Sequence, residues 1–298
     1  MGKASRSKQR LTTREKIANQ RAAERRAQVR TRVSLVIGSV VAVIAIVVAF
    51  VLIKGVSNNS STTASLPTGT ALSKIVSNAT NVPAATLATI GKGTIQTAPT
   101  ALTGQPALTK NGKPEIVYIG AEYCPYCAAE RWPTVVALSR FGTFSNLGVT
   151  RSDTSDVYPS TKTLTFHGSS YTSKYVAFSP VEQTDPNRKT LETPTAQEDA
   201  LIAKYDSPPY VPSASQGAIP FIDFGNKYLI SGASYSPQIL QGKSWAQISA
   251  ALSDPSSPIA KAVGGTANYM TAAICKLTNN QPANVCTAPS ITALSGKV

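Results

Sequence analysis

"GAEYCPYCAAERW" (residues 120–132) sets Cys124 and Cys127 three positions apart, at the seam between an apolar run and a helical pattern. Upstream, "KNGKPEIVYIG" (110–120) opens on an Asn-Gly turn pair. Pro114 is tolerated where a strand begins but not in its middle. The near-continuous apolar run Ile116, Val117, Tyr118, Ile119 then predicts a strand covered on both faces. Downstream, "CPYCAAERWPTVVALSRFG" (124–142) predicts a helix, with Pro125 suited to its first turn, Pro133 to a kink and Gly142 to its end.

Three chemistries compete for the pair. A structural zinc site wants four ligands, commonly as two close pairs, but Cys275 and Cys286 are eleven apart and the one histidine is His167. An inert staple closing so short a loop restrains the unfolded chain little. The third reading is a pair that opens and closes. A strand, then Cys-x-x-Cys, then a helix puts the first sulfur at a helix N-terminus, where unpaired N–H groups and the dipole stabilise the thiolate that attacks disulfides. The second sulfur follows within a turn, close enough to close the ring.

A second stretch bears on the same chemistry. "AIPFIDFGNKYLISG" (218–232) reads as a hairpin turning at Gly225 and Asn226. Pro220 opens its first strand and is well placed for a cis Ile219–Pro220 bond that turns backbone groups towards the cysteines, or else is an ordinary strand-opening proline. Around the pair, Glu122, Glu130 and Arg131 are candidate proton acceptors or supports; the plainer reading is a Glu–Arg ion pair at the surface or its boundary. Tyr123, Tyr126 and Trp132 either line a substrate groove or pack. His167 precedes a glycine and reads as a turn residue.

The remaining chain reads as a mixed α/β plan. "LGVTRSD" (147–153) is expected as a second strand of the core, and "TLTFHGSSYTSKYVAFSPVEQ" (163–183) as strand, turn, strand. Capping boxes at Thr195/Glu198 and Ser244/Gln247 start two helices, and Ser-Pro at 257–258 starts a third. Between Cys275 and Cys286 lie ten residues containing Asn-Asn and Pro. That spacing lets the chain reverse, so the expectation is a structural disulfide, with an electron relay to Cys124 as the alternative.

Residues 115–252 resemble a thioredoxin fold. More narrowly, "GAEYCPYCAAERW", "SRFGTF", "YTSKY" and "ICKLTNNQPANVC" resemble a prokaryotic family of membrane-anchored thioredoxin-like proteins catalogued as a domain of unknown function. The likeness covers most of 71–298. The Cys-Pro-Tyr-Cys pattern is similar to glutaredoxins, but the body lacks a clear glutathione-site signature. The superfamily implies Cys124 as nucleophile, Cys127 as resolving thiol and Pro220 as a cis-proline. The expected fold is therefore α/β: a thioredoxin-like central sheet, an inserted hairpin and helix segment, and a C-terminal helical extension, preceded by one transmembrane helix.

The chain has 298 residues and a formal net charge of +14, of which +9 falls in residues 1–32. The body is only mildly basic and the tail has no aromatic for base stacking, so no nucleic-acid partner is implied. Residues 33–53 carry no charge and, as a helix, span about 30 Å, a bilayer core. The basic leader is long for a cleaved signal, and the positive-inside rule puts the N-terminus in the cytoplasm. The expected organisation is a basic tail (1–32), a signal anchor (33–53), a flexible Ser/Thr/Asn/Gly tether (54–70) and an extracytoplasmic domain (71–298), in a compartment where disulfides persist.

The function expected is a membrane-anchored extracytoplasmic thiol–disulfide oxidoreductase. Its partners are protein thiols and disulfides and a membrane redox partner, with no metal or organic cofactor. The alternative is a thioredoxin-fold binding module in which the pair is a permanent bridge.

Overall fold

The structure is a computed structural model and describes residues 65–298. The tail, the anchor span and most of the tether lie outside the described residues. Among the described residues no helix is long and apolar enough to cross a membrane. Two short helices, α1 (Gly69–Thr80) and α2 (Ala84–Ile90), lead in.

The centre is strand β3 (Lys113–Gly120), whose residues 116–119 are almost wholly buried. The two-residue strands β1 (Thr100–Ala101) and β2 (Thr109–Lys110) precede it. On one side β3 pairs antiparallel with β9 (Phe221–Phe224), which turns into β10 (Tyr228–Ser231) and then β1. The turn residues Gly225 and Asn226 both take positive φ, as the glycine and asparagine of a two-residue hairpin do readily. On the other side β3 pairs parallel with β8 (Ala177–Glu182), joining Gly120 to Glu182. β2 pairs with the start of β3. The result is a mixed six-stranded sheet.

The sheet is buried on both faces. Ile116, Tyr118, Ile222 and Phe224 pack beneath α3 (Pro125–Leu138) and α6 (Pro258–Leu277). Val117, Ile119, Phe221 and Leu229 face α4 (Ala196–Tyr205), which begins on the Thr195/Glu198 capping box. A second capping box, at Ser244/Gln247, opens α5 (Trp245–Ala251). Two short turns, α7 (Ala283–Cys286) and α8 (Pro289–Thr292), follow α6, and α7 is fastened to α6 by the Cys275–Cys286 disulfide.

Two expectations about the middle of the chain are corrected. Strand β5 (Gly148–Arg151) is not in the central sheet; it forms a separate ribbon with β6 (Lys162–Thr165). The two strands flanking Gly168 do not pair with each other either. β7 (Ser170–Ser173) joins β4 (Gly142–Ser145), and the following strand, β8, goes to β3. The reason is burial. β8 carries Val181 and Glu182 into the interior, whereas β4 and β7 alternate between exposed and half-buried positions, as an outer ribbon does.

Candidate functional site

The cysteines sit where β3 runs into α3. Gly120 ends the strand, its carbonyl taking the Gln183 N–H at 2.8 Å, and Glu122 N–H reaches back to the Thr184 carbonyl, also at 2.8 Å. Cys124 is the N-cap of α3 in extended conformation, with Pro125 in the first turn. Its sulfur accepts the Cys127 N–H at 3.3 Å, filling the place a serine or aspartate oxygen takes at other helix starts.

On its other side the Cys124 thiol donates to the Ile219 carbonyl at 3.6 Å. The Ile219–Pro220 bond is cis, and the Pro220 carbonyl takes the Gly232 N–H across the base of the hairpin. Pro220 is therefore brought to the pair. The two cysteines are not bonded to each other and both are buried; Cys124 is 5% exposed and Cys127 wholly enclosed.

The two sulfurs are held in opposite states. The hydrogen bond from the Cys127 thiol pulls the Cys124 thiol below its ordinary range against burial, assisted by backbone N–H groups and the Arg131 charge. Burial, and then the hydrogen bond to Cys124, push the Cys127 thiol well up. Of the two, Cys124 is therefore the sulfur more readily ionised and Cys127 the one that holds its proton. Because the two share one hydrogen bond, they titrate as a unit.

The charged neighbours do not form the Glu–Arg surface pair of the plainer sequence reading. Glu130 and Arg131 do not pair with each other and are not at the surface; both are fully buried. Glu130 accepts from Ser234 N at 2.8 Å and Ser234 Oγ at 2.7 Å, in the loop after β10, and burial raises its pKa to about 7. Arg131 donates through Nε and Nη2 to the two oxygens of Glu182, at 2.6 Å each. Burial opposes both charges of that pair; the bidentate contact overcomes it at Arg131, whereas at Glu182 burial still holds the carboxyl above its ordinary range. Glu122 is also buried and accepts from Thr150 Oγ1 and Thr165 Oγ1. With its carboxylate and that of Glu130 engaged elsewhere, Arg131 is the charged group that acts on both sulfurs.

Two participants carried no local sequence signal. Glu182 lies 51 residues from Arg131 and arrives through the parallel pairing of β8 with β3. Tyr118 lies on β3 with its phenol over Gly120, where a Cβ would collide with it, so the glycine makes the space. The pattern that offered a hint is "AAERWPTVV", in which two charges are flanked by apolar residues on every side of a helix.

The aromatics divide. Trp132 is core, its indole N–H donating to the Lys162 carbonyl at 3.1 Å. Tyr126, between the cysteines, is 41% exposed and sets its ring edge-on to Tyr158 at 5.9 Å. The Arg188 guanidinium lies 3.9 Å from the Tyr123 ring centre, and Asp153 N–H holds the Tyr123 carbonyl. His167 is more than a turn residue: its Nδ1 meets Glu192 at 2.7 Å, and Glu192 also takes the Glu182 N–H.

Among the described residues no group of three or more His, Cys, Asp or Glu is placed to hold a metal ion. Cys275 and Cys286 form the structural disulfide, with Cα atoms 5.4 Å apart and both residues buried.

No curated protein and no solved structure matches this chain. One family does. Its match runs over residues 102–276, more than half of the chain, and takes in β3, both site cysteines, Glu130, Arg131, Glu182 and Pro220, while stopping short of Cys286. The chain belongs to that family, DUF929, a domain of unknown function.

Proposed function

We propose that this chain is a membrane-anchored extracytoplasmic thiol–disulfide oxidoreductase with a thioredoxin-like domain. The observation that carries the reading is the asymmetry of the pair: Cys124 caps a helix and takes the Cys127 N–H on its sulfur, while Cys127 is enclosed with its thiol pushed up. A bridge kept only for stability has no use for one activated and one protected sulfur. The strand–helix junction and the hairpin beginning at Pro220 support the thioredoxin-like reading of the mixed sheet.

In this reading Cys124 exchanges with a substrate disulfide or dithiol through a mixed disulfide, and Cys127 completes or releases it. The substrate is a protein segment. Of the three exposed large hydrophobic residues among those described, Tyr126 lies between the cysteines and Val157 is next to Tyr158, its ring partner. Such a rim suits a polypeptide docking beside a cysteine. The uncharged span at 33–53 behind a +9 tail supports the membrane and extracytoplasmic assignment. A membrane redox partner resets the pair.

The test compares single-cysteine variants on non-reducing gels. Cys127→Ala keeps the nucleophile but lacks the resolving thiol, and it accumulates mixed disulfides with extracytoplasmic proteins that reductant releases. Cys124→Ala traps far fewer. Equal trapping by both variants would reverse the roles. No trapping by either, together with a wild-type pair that resists mild reductant, would make the domain a binding module.

A further inference from the structure

Behind Cys127 the protein buries two hydrogen-bond donors that have no partner. Arg131 uses Nε and Nη2 on Glu182, and its third nitrogen, Nη1, is enclosed and unpaired. The Tyr118 hydroxyl is likewise enclosed and unpaired. Buried polar groups are ordinarily satisfied, so two orphans in one small region call for an account.

Their positions supply one. Arg131 lies four residues beyond Cys127 on the same helix, and so on the same face, one turn deeper. The Tyr118 phenol lies over Gly120, and the backbone N–H of the next residue, Ala121, draws the Cys127 thiol down against its burial. The guanidinium carbon stands 6.0 Å from the centre of the Tyr118 ring. An arginine and a phenol with unused donors therefore stand together one turn beyond the enclosed sulfur, near enough to feel its charge but not hydrogen-bonded to it.

We propose that this pocket receives charge from Cys127: Arg131 and Tyr118 stabilise its sulfur as it leaves Cys124, which favours the reduced pair and makes the oxidised protein a disulfide donor to dithiol segments of other proteins. The inference rests on the redox reading above and adds its direction.

The chemistry balances within one turnover. A substrate thiolate attacks Cys124 Sγ, an S–S bond forms between them, and the Cys124–Cys127 bond breaks with its electron pair passing to Cys127. That thiolate forms beside Arg131, Tyr118 and Ala121 N–H and then takes a proton. The substrate's second thiol loses its proton to solvent and attacks the substrate sulfur of the mixed disulfide. The electron pair of that bond leaves on Cys124, whose thiolate is held by the Cys127 N–H. The substrate dithiol is oxidised by two electrons to a disulfide, and the protein disulfide is reduced. Of the two substrate protons, one ends on Cys127 and one in solvent.

Glu182 gives the test its sign. Its anion partly neutralises Arg131, so Glu182→Gln, which keeps an acceptor for the guanidinium, leaves more positive charge on the sulfurs. Arg131→Met combined with Glu182→Met removes both charges, an exchange that buried pairs commonly tolerate. The full chain is equilibrated with reduced and oxidised glutathione, the fraction of reduced Cys124–Cys127 is read by alkylation, and the Cys124 pKa is read from thiolate absorbance.

Glu182→Gln is expected to shift the equilibrium towards the reduced pair by tenfold or more, ~30 mV, and to lower the Cys124 pKa; the double variant shifts both the other way. Tyr118→Phe, which deletes an unpaired hydroxyl, leaves stability unchanged or higher. It slows single-turnover oxidation of a reduced dithiol peptide several-fold. If the wild-type pair fails to exchange with glutathione, the redox reading falls and this inference with it. If it exchanges but both charge variants move the same way or not at all, or if Tyr118→Phe leaves the rate unchanged, the charge-receiving pocket is refuted while the redox reading stands.

Discussion

Replacing Glu130 with glutamine should stabilise the protein at pH 8 and leave it nearly unchanged at pH 4.5. The carboxyl is fully buried and meets Ser234 N and Oγ, and burial raises its pKa from 4.5 to about 7. A carboxyl whose folded pKa is raised binds its proton more tightly in the folded state. Its contribution is therefore fully present below pH 4.5 and is lost as pH rises through 7. At about 1.36 kcal/mol per unit, a shift of this size is worth roughly 3 kcal/mol by pH 8. Glutamine has no charge to desolvate. Its oxygen still accepts Ser234 N–H and its amide donates to Ser234 Oγ. Urea unfolding of the wild type and Glu130→Gln across pH 4.5–8 measures the difference. Asp223, also buried and raised to about 7, gives the wild type a second slope of the same sign, which cancels in the comparison. If Glu130→Gln is destabilising by the same amount at both ends of the range, the carboxylate is held as a charge by Ser234 and the reasoning fails.

Two further stability predictions follow from geometry. Loss of the Cys275–Cys286 bridge in the double alanine variant should cost about 3 kcal/mol, from the chain entropy of a loop spanning eleven residues, visible as a lowered urea midpoint; an unchanged midpoint would show that the reverse turn holds itself. Gly265→Ala should cost about 1–3 kcal/mol, because a Cβ there would sit 2.7 Å from the Lys92 carbonyl oxygen and 2.8 Å from Gly93 Cα, and backbone on both sides cannot yield cheaply; a thermal midpoint within a degree of wild type would contradict that contact.

The parts legible in the sequence are those whose cause is local. Cys-Pro-Tyr-Cys after an apolar run marks a helix start whatever the rest of the chain does. The capping boxes at Thr195 and Ser244 and the Gly225–Asn226 turn depend on residues within four positions of each other, and all three are present. What failed was pairing at a distance. Strands 148–151 and 177–182 are both short and carry no local mark of their partner, so choosing the one that pairs with β3 required knowing which is carried into the interior. The partner of Arg131 was misread for the same reason: a neighbour at one residue's remove is obvious in sequence, whereas Glu182 becomes a neighbour only after β8 docks.

That misreading points to what Glu130 and Arg131 do for α3. Successive residues on a helix diverge by about 100°, so these two side chains leave the axis in different directions. One reaches Ser234 beyond the hairpin strand β10, and the other reaches Glu182 at the end of β8, across β3. A helix packed only by Ala128, Ala129, Trp132 and Val135 has a smooth apolar surface that tolerates small rotations, because dispersion contacts are weakly directional. Two buried polar contacts on either side, one of them the Arg131–Glu182 ion pair, remove that freedom. The rotation they fix is the one that decides where the first turn points: Cys124 towards the Ile219 carbonyl and the surface, Cys127 towards Ala121 and the interior. These buried polar contacts thus set the orientation on which the unequal chemistry of the two sulfurs depends.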